Sequence, residues 1–156
     1  MVSLRLKETL AIKIPALPRP TLKELQIQEA FHINDPWIKS IARDLSPTKE
    51  VKLNLATVLR PQEDYLIGNE YEERIASKIE VMHGYQQARW LVEHQDRYPE
   101  LQVLLGKVFI DFPSLAVLDK AGLKFMPTLR QRSSRWCLRW GWTDFWLDQA
   151  ARVAIS

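Results

Sequence analysis

The residue types best suited to binding chemistry are concentrated in residues 120–143. This window holds six basic residues, no acidic residue and three of the six tryptophans of the chain. Cationic groups neutralise phosphates and aromatic rings stack on bases, so the composition is typical of a surface that holds nucleic acid without reading its sequence. The candidate binding residues are Lys124, Arg130, Arg132, Arg135, Arg139, Trp136, Trp140 and Trp142.

The positive charge is local to this window. The whole chain has a formal net charge of +3, yet the sequence outside the window contains more acidic than basic residues. A positive field confined to one stretch is typical of a binding face.

Residues 135–142 alternate in character, which predicts a strand. Three indoles and a leucine fall on even positions, while Arg135, Cys137 and Arg139 fall on odd ones. On a strand the two sets project from opposite faces. Burial of three indoles stabilises a fold by several kcal/mol, on the order of 25 cal/mol per Å². The tryptophans therefore fit either a core or an interface, with the core favoured, whereas the arginines are expected to meet phosphate, carboxylate or a partner protein.

Catalytic and metal-binding patterns are weak. Glu80 and His83 lie one helical turn apart, which is half of a motif that di-iron helical proteins use twice, but it occurs once here. Cys137 has an arginine two residues away on each side, which favours a thiolate, yet no histidine lies near it in sequence to act as a base. The sequence also lacks a glycine-rich phosphate loop and a serine nucleophile elbow. We therefore expect no enzyme activity, no catalytic residue, no metal site and no cofactor.

Length and composition predict one soluble domain. The chain has 156 residues, of which 46% are apolar and 26% are charged. A single cysteine excludes an intramolecular disulfide framework and favours a reducing, cytoplasmic setting. The N-terminus carries charges where a signal peptide needs an apolar centre, and no apolar window is long enough to span a membrane.

The N-terminal residues predict a strand followed by a linker. Residues 4–14 are apolar at nearly every second position, which predicts a strand, and three prolines make residues 15–20 a stiff linker. We therefore divide the chain into a strand with a Pro-rich linker, residues 1–20, and a globular domain, residues 21–156. Residues 21–33 combine a Thr21–Glu24 capping box with strand-like alternation, and strand is slightly favoured over helix.

The remaining patterns predict a small single-domain α+β protein. Its sheet would be mostly antiparallel, with about four to five strands beside three to four helices. Strands are predicted near residues 51–60, 108–112 and 135–142, and helices at 34–45, at 70–95 with a break near Gly84, at 99–105 and after Thr143. Residues 115–118 are expected to form a helical turn and residues 119–127 a loop.

Two functions fit these observations, and both are non-enzymatic. The first is a small basic protein that engages DNA or RNA through phosphate contacts from the Arg/Trp-rich stretch. The alternative is an assembly subunit or adaptor that uses the same Arg/Trp surface and the N-terminal strand as protein interfaces, in an oligomer or larger assembly. An enzyme would require a pocket that gathers Glu80, His83 or Cys137 with a partner distant in sequence.

Overall fold

Ten strands and four α-helices make up the described part of the chain. The computed structural model describes residues 4–30, 35–143 and 147–156. The strands are β1 (Arg5–Ile14), β2 (Ser40–Asp44), β3 (Val51–Thr57), β4 (Tyr65–Leu66), β5 (Phe109–Asp111), β6 (Leu115–Leu118), β7 (Lys124–Arg132), β8 (Arg135–Trp142), β9 (Leu147–Asp148) and β10 (Ala151–Ile155). The helices are α1 (Leu22–Gln28), α2 (Gly68–Ala76), α3 (Tyr85–His94) and α4 (Pro99–Gln102).

Eight of these strands form one mixed sheet. Its order is β1-β3-β10-β5-β7-β6-β2, and β8 pairs with β7 outside this path. Strand β10 runs parallel to β5, and the other neighbours in the sheet are antiparallel. The predicted fold class, a small and mostly antiparallel sheet of four to five strands, is therefore wrong. Segments expected to be helices or loops supply the additional strands.

Strand β10 shows why the C-terminal helix prediction is wrong. Its edges pair with β3 and β5, and its successive residues Val153 and Ala154 are buried in two different core clusters, so both of its faces are covered as well. A strand covered on both faces shows no period of two, and its alanines match a helical stripe equally well. The first turn of the predicted helix, residues 144–146, lies outside the described residues.

The described residues 35–45 contain no helix, and strand β2 occupies residues 40–44 of the helix predicted there. Its backbone pairs with β6, and Arg43 Nε donates to the Pro113 carbonyl at 2.9 Å. Ala42 and Leu45, expected on the packed face of a helix, are exposed. Pairing with a strand more than 70 residues away overrides the local helical pattern, and it also makes residues 115–118 a strand rather than a helical turn. Position 34 is not described.

Other predictions are confirmed. Strands occur where residues 4–14, 51–60, 108–112 and 135–142 predicted them. The helix predicted for residues 70–95 is interrupted before Gly84 and forms the two helices α2 and α3.

Segment 21–33 is helical over α1, with a capping box in which the Glu24 amide donates to Thr21 Oγ1 at 3.1 Å. The slight preference for a strand there is wrong for residues 22–28, and residues 31–33 lie outside the description. The loop predicted for residues 119–127 is confirmed up to residue 123 and wrong for residues 124–127, which belong to β7.

The core has one cluster on each face of the sheet and a third against α1. Helices α3 and α4 cover a cluster that includes Ile12, Leu53, Leu91, Leu101 and Trp136. Helix α2 contributes to a second cluster that includes Tyr71, Ile75, Met82, Met126 and Val153. The third cluster consists of Leu25, Ile38, Tyr85, Leu115 and Val117. Within the described residues no helix is long and apolar enough to cross a membrane.

The N-terminal strand belongs to the main sheet. Strand β1 pairs with β3 along its length, and Ile12 and Ile14 are buried in the core. Residues 15–20 form no helix or strand, and Leu17 packs against the core. The division of the chain at residue 20 stays a prediction.

Arg74 on α2 is the best-paired buried charge. Its two terminal nitrogens contact the Glu63 carboxylate at 2.7 and 2.8 Å, and it also contacts Glu70 and the Val58 carbonyl, each at 2.8 Å. Hydrogen bonding to Arg74 lowers the pKa of Glu63 to about 2. This network fixes the turn after β3 to helix α2.

The Glu63–Arg74 pair predicts a pH-dependent part of the stability. Because the pKa of Glu63 falls from about 4.5 to about 2 on folding, its contribution is complete above pH 4.5 and disappears as the pH falls toward 2. We expect Glu63→Gln to lower the free energy of unfolding at pH 7 and to flatten its decline over this range, in urea titrations. Glu73→Gln, an exposed change on the same helix, is the control. Parallel pH profiles for wild type and Glu63→Gln would contradict the assignment.

Gly84 allows α3 to approach the segment after β2. A Cβ atom at residue 84 would lie 2.4 Å from Ser46 Cβ. We expect Gly84→Ala to reduce the free energy of unfolding by about 1–3 kcal/mol, as overpacking of a core does. The matched control is Gly141→Ala, where the added Cβ would meet Thr128 Cγ2 at an ordinary 3.6 Å. Equal stability of the two variants in urea unfolding would refute the close approach.

Candidate functional site

Four arginines share one face of the β7–β8 hairpin. The register places Arg132 opposite Arg135, Arg130 opposite Cys137 and Thr128 opposite Arg139. Residues directly opposite each other in an antiparallel pair project to the same side, and alternate residues of each strand do so as well. All four arginine residues are exposed, and we call this surface the arginine face: Arg130, Arg132, Arg135 and Arg139.

A two-residue turn joins the strands of this hairpin. It consists of Ser133, whose φ is 56°, and Ser134. Two-residue hairpin turns need a positive φ to match the twist of the strands, and Asn-Gly or Asp-Gly is their usual sequence signal. This turn has neither, so the sequence did not predict that β7 and β8 would bring the arginines together.

The arginine face has an excess of positive charge. Like charges directly opposite on a strand pair are destabilising, and Arg132 faces Arg135 in this way. Asp96 contacts Arg135 at 2.9 Å, and the Arg130 guanidinium lies 4.3 Å from the centre of the Phe109 ring. Across the described ranges, Arg132 and Arg139 form no ion pair. A bound anion would relieve the remaining repulsion.

Lys124 is separate from this face. Alternation along β7 gives it the same side, but buried Met126 and Thr128 lie between it and Arg130. Its ammonium is half-buried and lies 3.8 Å from a Glu72 carboxylate oxygen. Of the predicted basic residues, the structure therefore groups the four arginines and leaves Lys124 apart.

The tryptophans occupy the opposite face of β8. Trp136 is 1% exposed, and its indole donates to the Leu101 carbonyl at 3.2 Å. Trp140 is half-buried, and Trp142 is 41% exposed. Trp136 is thus a core residue, while Trp140 and Trp142 retain accessible surface. The arginines and tryptophans of β8 therefore lie on opposite sides, as the alternation predicted.

An aromatic pocket lies beside Trp140. Its volume is about 520 Å³, and Ala30 and Leu138 add aliphatic surface to its wall. Trp37 packs edge-on against both Phe125 and Trp140, with ring centres 5.5 and 5.4 Å apart. The polar and aromatic lining consists of Gln28, Glu29, Trp37, Phe125, Arg139 and Trp140.

Glu29 is the carboxylate of this pocket. Tyr85 donates its hydroxyl to Glu29 Oε1 at 2.6 Å, and the Trp140 indole donates to Oε2 at 3.3 Å. The Arg89 guanidinium lies 3.6 Å from Oε1. Burial, and then the hydrogen bond to Glu29, raise the pKa of Tyr85, so the phenol stays protonated as a donor.

Sequence reasoning missed this pocket. Its walls come from α1, the segment before β2, and strands β7 and β8, which are distant along the chain. Trp37 was instead expected on the packed face of a helix. No local spacing signals such a site, because its walls meet through contacts between distant segments, such as the pairing of β7 with β8 and the hydrogen bond from Tyr85 to Glu29.

The other residues considered for chemistry are not assembled. Burial lowers the pKa of His83 to about 4, and its Nε2 lies 3.0 Å from Ser156 Oγ. Glu80 is exposed, and half-buried Cys137 lies on the arginine face opposite Arg130. None of the three lines the aromatic pocket. The described residues contain no group of three His, Cys, Asp or Glu side chains that could hold a metal ion.

Comparisons with protein-family models, curated protein sequences and solved structures gave no match.

The burial of the tryptophans predicts unequal effects on stability. We expect Trp136→Ala to reduce the free energy of unfolding by about 3–5 kcal/mol, because it removes a buried ring. Trp142→Ala is expected to cost less than about 1 kcal/mol, since that ring is 41% exposed. Urea unfolding at neutral pH measures both changes. Similar losses for the two variants would mean that Trp142, too, is a core residue.

Proposed function

We propose that this protein binds the phosphate backbone of nucleic acid through the arginine face and does no chemistry on it. The observation that carries the proposal is the clustering of four exposed arginines on one side of a two-stranded ribbon, with Arg132 and Arg135 directly opposite each other. Guanidinium groups hold phosphate oxygens in a bidentate manner, and such contacts dominate binding that does not depend on base sequence.

The geometry of the hairpin supports this proposal. Its exposed end has two serines in the turn and presents the four arginines to solvent. Among the ion pairs of the described residues, only the one between Asp96 and Arg135 involves this face. Phosphate contacts of this kind act on both DNA and RNA. The arginine face therefore supports binding to either nucleic acid.

A protein partner is the second candidate function. Strand β1 ends the sheet order, so one of its edges has no strand neighbour within the described part of the chain. Leu6 on this strand is 58% exposed. Such an edge can add a strand from another chain, which supports the role of an assembly subunit that uses its N-terminal strand.

Salt dependence tests the nucleic-acid proposal. We expect wild-type protein to bind a labelled single strand with a log K that falls by about 3 per decade of salt, as four phosphate contacts require. Alanine at the four arginines of the arginine face should abolish this binding while circular dichroism stays unchanged. The matched control removes the same charge from exposed lysines elsewhere in the chain, Lys13, Lys23, Lys49 and Lys52. Equal losses in both quadruple variants would mean that only net charge matters.

Substitution of Asp96 tests the same proposal through an expected increase in nucleic-acid affinity. Its carboxylate neutralises Arg135, so Asp96→Asn is expected to strengthen nucleic-acid binding about two- to tenfold at low salt. The gain should vanish when Arg135 is also changed to alanine. If wild type binds no nucleic acid at low salt, the proposal fails. Under the second candidate, Leu6→Lys would instead release a co-purifying protein partner.

A further inference from the structure

We infer that the aromatic pocket binds a nucleotide, with the base against the rings of Trp37 and Trp140 and a phosphate on Arg139. The inference rests on the proposed function where the nucleotide is part of a strand. It adds a second kind of contact to the arginine face, namely the capture of an unpaired base.

The size and walls of the pocket suit a planar heterocycle. A volume of about 520 Å³ falls within the range of small-molecule sites, which is about 300–1,000 Å³. Trp37, Phe125 and Trp140 are half-buried residues. Tyr85 stacks on Trp140 with ring centres 5.9 Å apart, so a base would stack on the ring surface that this contact leaves exposed. Stacking of a base on an aromatic ring is tolerant of base identity, because every base has a π-face.

Arg139 connects the pocket with the arginine face. It lies on the side of β8 that carries Arg135, yet it also lines the pocket, because β8 has no strand neighbour beyond it in the described sheet. A strand whose phosphates follow the four arginines would thus pass the mouth of the pocket. The base at that point could turn inward while its phosphate remains on Arg139.

The charges in the pocket favour a nucleotide over an organic cation. Aromatic rings beside a carboxylate can also form a cage for an ammonium group. Here, however, the Glu29 carboxylate already lies near Arg89, and Arg139 adds a second positive charge to the lining. A nucleotide matches both signs, since its phosphate pairs with Arg139 and an N–H group of its base can donate to Glu29 Oε2.

A preference for unpaired nucleic acid follows. A base within a duplex must leave its stack before it can enter a pocket, whereas a base in a single strand is free to do so. We therefore infer that the nucleic acid bound by the arginine face is single-stranded DNA or RNA.

The test compares strands that differ only in their bases. Full-length protein is titrated with oligothymidylate and with an abasic strand of the same length and charge, and the two affinities are expressed as a ratio. We expect wild type to favour the base-containing strand about tenfold, the magnitude typical of one stacked base. Trp37→Leu should bring the ratio close to one, whereas Trp142→Leu, outside the pocket, should leave it unchanged.

A second experiment tests the aromatic pocket in the wild-type protein, without a substitution in the pocket. Indole N–H signals are followed by nuclear magnetic resonance during addition of adenosine monophosphate, with ribose phosphate as the control. We expect the Trp37 and Trp140 signals to shift with the nucleotide only, and the signal of buried Trp136 to stay in place.

The outcomes separate this inference from the proposed function. Equal, salt-sensitive binding of both strands by wild type overturns the pocket and leaves the arginine face intact. Loss of the ratio in Trp142→Leu but not in Trp37→Leu also overturns it. If neither strand binds, the proposed function fails, and the mononucleotide arm decides: shifts at Trp37 and Trp140 support a free-nucleotide site, and their absence overturns it.

Discussion

A buried side-chain amide anchors the outer edge of strand β8, whose other edge pairs with β7. Gln95, buried after α3, donates to the Trp136 carbonyl at 3.0 Å and accepts from the Trp136 amide at 2.8 Å. It thereby supplies the hydrogen bonds that a neighbouring strand would give to this edge of β8. Because Trp136 itself fills the core, the register of the β7–β8 hairpin is fixed at this point. A slip by one residue would bury arginines and expose indoles.

The fixed register separates charge from aromatic surface. With Trp136 held inward, Arg135 and Arg139 must project from the other side of the strand, where they meet Arg130 and Arg132. The aromatic side remains continuous from the core to the half-buried Trp140. The proposed contacts with phosphate and with a base therefore lie on opposite faces of one strand, and they meet at Arg139, which lines the pocket.

The buried residues Arg74, Arg152 and Asp111 have polar partners, and the arginine face differs from them. Arg74 is paired with Glu63, and Arg152 donates to Glu8 at 2.7 Å. Asp111, whose pKa is raised by burial, accepts a hydrogen bond from Tyr71 at 2.7 Å. Such pairing is needed because an isolated buried charge is costly. On the exposed hairpin, solvent permits unpaired guanidiniums, so their clustering is available for binding rather than for stability.

The sequence by itself determined the elements whose patterns are local. The alternation in β1 and β8 follows from one buried face, and the capping box of α1 and the break before Gly84 involve residues within one turn of each other. The same alternation correctly placed the arginines and tryptophans of β8 on opposite sides. Local patterns are reliable here because the physical cause, a period of two or a capping hydrogen bond, lies within the segment itself.

Only the tertiary structure decided the size of the sheet and the composition of the candidate site. Strands β2, β6 and β10 owe their conformation to partners distant in sequence, and β10 is covered on both faces, which removes the alternation that would have revealed it. Likewise, Glu29 and Trp37 meet Trp140 only in the folded chain, where the Trp140 indole donates to Glu29 and packs against Trp37. Long-range pairing leaves no periodic trace in a single segment, so the pocket could not be predicted from the chain alone.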